Sequence, residues 1–202
     1  MTEVSINKQV KLSEHFTLGE LCKTGVKTAD GNIPSHVHIE NLKRVCEWLE
    51  ELRRRYNQQY VCENEERSVS PPELGGARGG LNEGMSGASS DHPAHTGTPP
   101  NLGGEINTDA PIIITSGYRS PDLNKKVGGS PTSNHLTGCA VDIRVAGIEQ
   151  AMRYAVILMD YADETRQDYD ELLIEKNSRG AIWLHFAVRP KDNRRKTMFL
   201  QK

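Results

Sequence analysis

The chain has 202 residues, enough for one domain with a full hydrophobic core and too few for two of ordinary size. Lys and Arg total 25 against 27 Asp and Glu, and this near balance excludes a broad basic surface for nucleic acid. No stretch approaches the roughly 18 to 20 consecutive apolar residues that span a bilayer, and the first residues lack the apolar run of a secretion signal. We therefore expect synthesis in the cytoplasm, no membrane span, and partners recognised by a local site.

The four cysteines lie far apart in the chain and form no CxxC pair; they are Cys22, Cys46, Cys62 and Cys139. A chain of this size does not need disulfides to hold its core together. We expect reduced thiols that are buried or half-buried.

Two helices are predicted before residue 60. Thr17 and Glu20 form a capping-box pattern, and Phe16 and Leu21 flank it as a hydrophobic staple. From Ser35 onward, apolar residues recur three and four positions apart, which is the spacing of one helical face. This second run comprises Ile39, Leu42, Val45, Cys46, Leu49, Leu52 and Tyr56. Both helices are expected to pack in the core.

The composition changes at 63–109, where Gly, Ser, Pro, Asn and Glu predominate without a helix or strand period. Such a stretch buries too little apolar surface to offset its ordering entropy. We interpret it as a flexible insertion within a single peptidase-like domain at 1–202, because neither flank is complete alone. His92 and His95 within it are interpreted as a solvated pair.

The part of the chain after the insertion contains two predicted strands. A β-branched run predicts a buried strand at 111–115, and a second strand is predicted at 139–145. Alternation along this second strand places Ala140 and Asp142 on one face and directs Cys139 to the other.

Helices are predicted at 122–127, as a short turn, and at 148–161. The apolar face predicted for the longer one comprises Met152, Ala155, Val156 and Met159. This face is expected to pack against the sheet.

A hairpin is predicted from 170–175 and 181–188 around a turn at 176–180. In its second strand the face directed at the helices comprises Ile182, Leu184, Phe186 and Val188. The opposite face comprises Trp183, His185 and Ala187. Together these elements predict an α+β fold, with a small antiparallel sheet that carries a metal site and is covered by helices on one face.

Three side chains of this half are candidate metal ligands. His135 and Asp142 lie seven residues apart around Gly138, and His185 lies on the face of the last strand opposite its apolar face. A catalytic zinc ion typically takes three protein ligands from His and carboxylate groups and keeps a fourth position for water. We predict that His135, Asp142 and His185 bind one zinc ion per chain.

A family resemblance is carried by the strings SGYRSPDLNKKVGGSPTSNHLTGCAVDIRV and WLHFAV. They resemble the zinc peptidases of bacterial cell walls and their phages, the D-Ala-D-Ala carboxypeptidase and L-alanyl-D-glutamate endopeptidase family. The amino-terminal signalling domain of hedgehog proteins shares that fold and has a similar His-to-Asp segment. The resemblance covers Lys11 to about Val188 apart from the insertion, and implies that His135, Asp142 and His185 are the zinc ligands.

The same resemblance implies roles for residues around the metal. Arg119 matches a residue that steadies the scissile carbonyl and its developing negative charge. Ser133 lies where the family contacts substrate, and we predict that Tyr118 and Trp183 contact it as well.

The resemblance also requires a general base, a carboxylate near the water that attacks the substrate. Some members carry it three residues before the last His ligand, where this chain has Ile182. Others place it just before the hairpin turn, and Glu175 matches that arrangement. Glu171 is the alternative, because a regular pairing across the turn would set it more nearly opposite His185. We predict Glu175 as the base.

The function that the resemblance implies is hydrolysis of amide bonds in stem peptides or cross-links of peptidoglycan by metal-activated water. The alternative from another class is a zinc-stabilised module that binds cell wall or peptide without turnover. The presence of both a candidate base and Arg119 favours the enzyme. We expect a monomer that acts at the cell wall after delivery by phage lysis or another export route.

Overall fold

The computed structural model describes residue 7 and residues 9–61 and 109–201. In these ranges the α-helices are α1 (Leu18–Leu21), α2 (His36–Tyr56), α3 (Pro121–Lys126) and α4 (Ile148–Thr165). The strands are β1 (Ile114–Ser116), β2 (Ala140–Arg144), β3 (Glu171–Lys176), β4 (Ile182–Ala187) and β5 (Lys196–Gln201). Apart from Asp109, the insertion interpreted at 63–109 lies outside the described residues, with Cys62, His92 and His95.

The strands form one sheet in the order β1-β2-β4-β3-β5. Neighbouring strands are antiparallel except β3 and β5, which are parallel. The predicted α+β class and mostly antiparallel sheet are confirmed. The parallel strand β5 was not predicted, because most of its residues are exposed and it lacks the apolar alternation that marks a half-buried strand.

Three of the predicted strands are shorter in the structure than in the sequence analysis, among them the strand expected at 181–188, which is β4 at Ile182–Ala187. The strand expected at 111–115 is β1, which begins at Ile114 and pairs with β2 only as far as Ser116, across an irregular register. The strand expected at 139–145 is β2, which loses one residue at each end. Strand ends are set by the partner strand, which local propensity does not reveal.

The capping box expected before α1 is present. The Glu20 N–H donates to Thr17 Oγ1 at 3.3 Å, and the Thr17 N–H donates to Glu20 Oε2 at 2.9 Å. These two bonds satisfy donors that a four-residue helix otherwise leaves unpaired at its start.

Helices α2 and α4 cover one face of the sheet. Trp48 of α2 lies at the centre of this layer, with its ring edge-on to Tyr161 at 4.8 Å and tilted against Phe186 of β4 at 5.4 Å. The other core residues of the sheet alternate along the strands, as the period of two requires. They are Val141, Ile143, Leu172, Ile174 and Leu184.

The face predicted for α4 is half correct, because Ala155 is buried and Met159 packs partly buried against the core. Met152 and Val156 are 47% and 43% exposed, and the residues that pack inward lie about one position earlier in the helix. The buried residues are Ala151, Tyr154, Ala155, Ile157, Leu158 and Ala162. The segment is apolar on most sides, so periodicity alone left its rotation open. Packing against α2 and the sheet decides it, and this packing includes the edge-on contact of the Tyr154 ring with Tyr56 of α2 at 4.8 Å.

The described cysteines Cys22, Cys46 and Cys139 are buried free thiols, as expected. Burial raises the pKa of Cys22 and of Cys46 to about 12, so both thiols stay protonated and unreactive. In the described ranges, none of the helices combines the length and apolar character needed to cross a membrane.

Candidate metal centre

The face of the sheet opposite the helices brings the three candidate ligands together. Asp142 of β2 pairs directly with His185 of β4. The Asp142 Oδ1 atom lies 2.9 Å from His185 Nδ1 and 3.2 Å from His135 Nε2. One ligand atom from each of the three residues lies within 4.8 Å of the others, and all three side chains are buried.

A single turn of 3-10 helix, Asn134–Thr137, presents His135 to the sheet. The His135 N–H donates to Ser133 Oγ at 3.3 Å, which caps the start of the turn. Gly138 ends the turn with a φ of +71°, and a Cβ there would meet the His38 carbonyl oxygen of α2 at 2.6 Å. The Ser-x-His-x-x-Gly spacing therefore reflects a cap at one end of the turn and close packing at the other.

The tautomer of His135 is set by a backbone carbonyl. Its Nδ1 donates to the Gly117 carbonyl oxygen at 2.7 Å, which leaves the Nε2 lone pair directed towards Asp142. Gly117 lies so close to α1 that a Cβ would meet the Leu21 carbonyl oxygen at 2.2 Å. His135 is therefore prepared to act as a metal ligand through Nε2.

His185 is held between two carboxylates. Its Nδ1 faces Asp142, and its Nε2 lies 3.6 Å from Glu171 Oε2. Burial alone would lower the pKa of His185, but the contacts with Asp142 and Glu171 raise it to about 9. Burial disfavours the charged form of Asp142 and on its own would raise its pKa. His135 and His185 nevertheless hold the pKa of this carboxyl well below its usual range.

The residues fit a zinc ion. Two imidazoles and one carboxylate are a donor set of catalytic zinc sites, and each donor has a partner that orients it. These partners are the Gly117 carbonyl for His135, Glu171 for His185 and Arg119 for Asp142. Because a metal binds the neutral form of histidine, zinc would replace the proton that His185 holds in this arrangement.

The predicted electrostatic residue, Arg119, lies against the cluster. Its Nη2 donates to Asp142 Oδ2 at 2.5 Å, its Nε donates to Ser116 Oγ at 2.8 Å, and its backbone N–H donates to the His135 carbonyl at 3.0 Å. The guanidinium carries five N–H donors, so further ones remain for a substrate oxygen. Its charge is thus fixed beside the candidate metal site.

The expectation that Glu171 lies more nearly opposite His185 than Glu175 does is wrong. Leu173 is the residue opposite His185, and Glu171 and Glu175 lie two positions to either side of it on β3. Because side chains alternate along a strand, both carboxylates are on the face that carries His185. Glu175 is buried and pairs across the ladder with Trp183.

Glu171 is firmly held as an anion. Glu171 Oε2 accepts from Asn134 Nδ2 at 3.0 Å, and Glu171 Oε1 lies 3.0 Å from Arg194 Nη2 and 3.4 Å from Lys196 Nζ. Its contact with His185, together with these donors, overcomes burial and lowers the pKa of Glu171 to about 2. So low a pKa makes Glu171 a weak proton acceptor.

The three residues predicted to contact substrate occupy different environments. Ser133 is half-buried and caps the turn before His135. Tyr118 is 5% exposed and its ring stacks on His38 at 4.8 Å, which favours a packing role. Trp183 is half-buried on the strand that carries His185, two residues before it, and stays accessible beside the cluster.

A buried carboxylate that the sequence analysis missed fastens the His135 turn to the sheet. Asp170 is fully buried and accepts from Asn134 Nδ2 at 2.7 Å, Arg189 Nη2 at 2.6 Å and Arg194 Nε at 2.8 Å. Asn134 precedes His135, so Asp170 holds a candidate ligand in place from a distance in sequence. In the sequence, the one local sign of this arrangement was the polar residue Asn134 next to a candidate ligand.

Asp170→Asn is expected to lower the free energy of unfolding by about 2 kcal/mol at pH 7. Burial raises the pKa of Asp170, but hydrogen bonds from Arg194, Asn134 and Arg189 lower it to about 2. Because this pKa is below the unfolded value of about 3.9, the stabilisation is complete above that pH and disappears as the pH falls towards 2. Urea unfolding of both proteins at several pH values measures the difference.

The matched control for this prediction is Asp168→Asn, since Asp168 is 55% exposed and pairs with Arg195 only at 3.4 Å. Its effect should stay below about 0.5 kcal/mol. A stability difference for Asp170→Asn that is unchanged between pH 7 and pH 2.5 would contradict the assignment.

Comparison with known proteins gives one finding that bears on this site. A family model described as Peptidase M15 matches residues 105–168, about one third of the chain. The matched segment contains Arg119, Ser133, His135 and Asp142, and ends before the hairpin that carries His185. A search of curated proteins finds no match. The match supports a metallopeptidase of the M15 type without indicating which bond is cleaved.

Proposed function

We propose that this protein is a zinc-dependent peptidase that hydrolyses amide bonds in the stem peptides or cross-links of peptidoglycan. One observation carries the proposal: the buried cluster of His135, Asp142 and His185 lies partly within a segment that matches the Peptidase M15 model. Peptidoglycan as the substrate rests on the resemblance of the sequence to cell-wall peptidases.

Zinc held by His135, Asp142 and His185 would supply a Lewis acid that polarises the substrate carbonyl. It would also lower the pKa of water and so make water a better nucleophile. The chain's own residues complete the chemistry. Arg119, fixed by Asp142 and Ser116, places a permanent positive charge where negative charge develops on the carbonyl oxygen. No side chain needs to form a covalent bond with the substrate.

Glu175 is the proposed general base. It takes a proton from the attacking water and returns it to the leaving nitrogen. Its support is its position on the face of His185 and the low pKa of the alternative, Glu171, whose contacts with His185, Arg194 and Asn134 hold it as an anion. Glu171 instead orients His185 through its Nε2 nitrogen.

The function is tested by measuring zinc content and release of free amines from purified peptidoglycan with the same protein preparation. We expect about one zinc per chain, as three protein ligands hold one ion, and amine release that a chelator stops and added zinc restores. Zinc-loaded protein that cleaves none of several wall types would instead support a non-catalytic binding module. A chain that binds no zinc would overturn both.

A further inference from the structure

A cavity of about 480 Å³ lies at the end of the sheet where Arg144 of β2 pairs with Trp183 of β4. Its walls include Thr115 of β1, Arg144 of β2 and Trp183 of β4, together with the turns at Gly147 and Gly180. A Cβ added at either glycine meets no atom within 4 Å, so these turns leave the cavity open. The volume falls within the range of about 300 to 1,000 Å³ common for ligand pockets.

The sheet register links this cavity to the metal centre. Arg144 pairs with Trp183, and the next pair on the same face is Asp142 with His185. Residues two apart on a strand are separated by about 6.6 Å, so the base of Arg144 lies that far from the base of a candidate ligand. A substrate bound at the metal would therefore extend naturally along the sheet towards Arg144.

Arg144 adds a positively charged side chain to the wall of this cavity. Its side chain is exposed, and no carboxylate in the described parts of the chain lies within ion-pair distance of it. Its backbone is fixed, because the Arg144 N–H donates to the Ile113 carbonyl at 2.8 Å. Glu149, which follows in α4, is paired with Arg153 instead. The cavity thus has one anchored cation and the half-buried Trp183 ring as a flat apolar wall.

We propose that Arg144 and Trp183 form a subsite that binds a free carboxylate of the peptide substrate. The inference rests on the proposed peptidase function and specifies its substrate class. A guanidinium binds a carboxylate through two parallel hydrogen bonds, which amide groups cannot match in strength. An extended peptide advances about 3.3 to 3.6 Å per residue, so the carboxylate lies within about two residues of the bond that is cut.

The carboxylate is either the C-terminus of the substrate or an acidic side chain, and two peptide pairs distinguish these sources. The first pair is N-acetyl-L-alanyl-D-alanine and its C-terminal amide. The second pair is N-acetyl-L-alanyl-D-glutamate with its α-carboxyl amidated, and the corresponding glutamine peptide. For the pair whose carboxylate binds the subsite, the zinc-loaded wild type is expected to show a kcat/KM about 10- to 100-fold higher for the acid than for the neutral peptide.

Arg144→Gln is expected to reduce that acid-to-neutral ratio to about 1, mainly through a higher KM for the acid, and Arg144→Lys is expected to restore part of it. Lys125→Gln is the matched control, because Lys125 is exposed on α3 and the change of charge is the same. Zinc content and thermal unfolding of each variant show that the metal centre and fold are intact. A ratio that Arg144→Gln leaves unchanged overturns the inference.

A binding measurement separates this inference from the proposed function. The Trp183 indole N–H resonance is followed in the full-length metal-free protein during titration with each acid and its neutral partner. An acid-specific shift that Arg144→Gln removes supports the subsite even if the zinc-loaded wild type hydrolyses nothing. Hydrolysis without any Arg144-dependent preference for the acid supports the peptidase and rejects the subsite.

Discussion

His185→Ala is expected to lower zinc affinity by at least about 100-fold and to reduce peptide hydrolysis to background. The substitution removes one of three candidate ligands and leaves Asp142 with a single imidazole partner, His135. Changing a residue that only orients a metal ligand lowers metal affinity about 10- to 100-fold. Removing a ligand itself should therefore lower the affinity further. Competition of the purified protein with a zinc-binding dye measures the affinity.

The matched control is His36→Ala. His36 lies in the first turn of α2, and its side chain is 87% exposed. Zinc affinity and hydrolysis should be unchanged in this variant. Circular dichroism of His185→Ala in the metal-free form tests whether the loss reflects the metal centre or the fold. Full zinc affinity in a folded His185→Ala protein would remove His185 from the ligand set.

Glu175→Gln is expected to lower kcat about 100- to 10,000-fold while the protein keeps its zinc. Glutamine has nearly the same shape as glutamate but cannot accept the proton of the attacking water. Only the rate of the chemical step should therefore fall. Steady-state hydrolysis at saturating zinc, with zinc content measured on the same sample, provides the test. Glu149→Gln is the control, because Glu149 is an exposed residue of α4.

Glu171→Gln should behave differently. Glu171 contacts His185 Nε2, and this contact, together with Arg194 and Asn134, lowers the pKa of its carboxyl to about 2 and makes it a poor base. We expect zinc affinity to fall about 10- to 100-fold, with a smaller loss of kcat once zinc is saturating. The reverse result, a large loss of kcat in Glu171→Gln and a small one in Glu175→Gln, would exchange the two roles.

Elements with strong local patterns were predicted well from the sequence. The α2 helix begins after Ser35 and ends at Tyr56, as the spacing of its apolar residues indicated. The hairpin of β3 and β4 and the inward face of β4 also match. Helix period, strand alternation and capping depend on residues close in the chain, so they can be read without the fold.

The elements that were missed or misplaced lack such a pattern. The α4 segment is apolar on most of its surface, and its rotation is set by tertiary packing that includes the contact of Tyr154 with Tyr56 of α2. The β5 strand is largely exposed and exists through its pairing with β3. Neither contact can be inferred from neighbouring residues.

The sequence by itself determined the residue types of the candidate site. His135, Asp142 and His185 were identified from ligand chemistry, spacing and resemblance, and Arg119 from the resemblance. All of these signals can be read from the sequence alone. Only the tertiary structure decided what surrounds them. The register of β3 against β4 places both Glu171 and Glu175 near His185, the buried Asp170 holds the His135 turn, and the pairing of β2 with β4 sets Arg144 beside Trp183. These relations join segments distant in the chain, and packing and strand register, not local composition, determine which of their side chains meet.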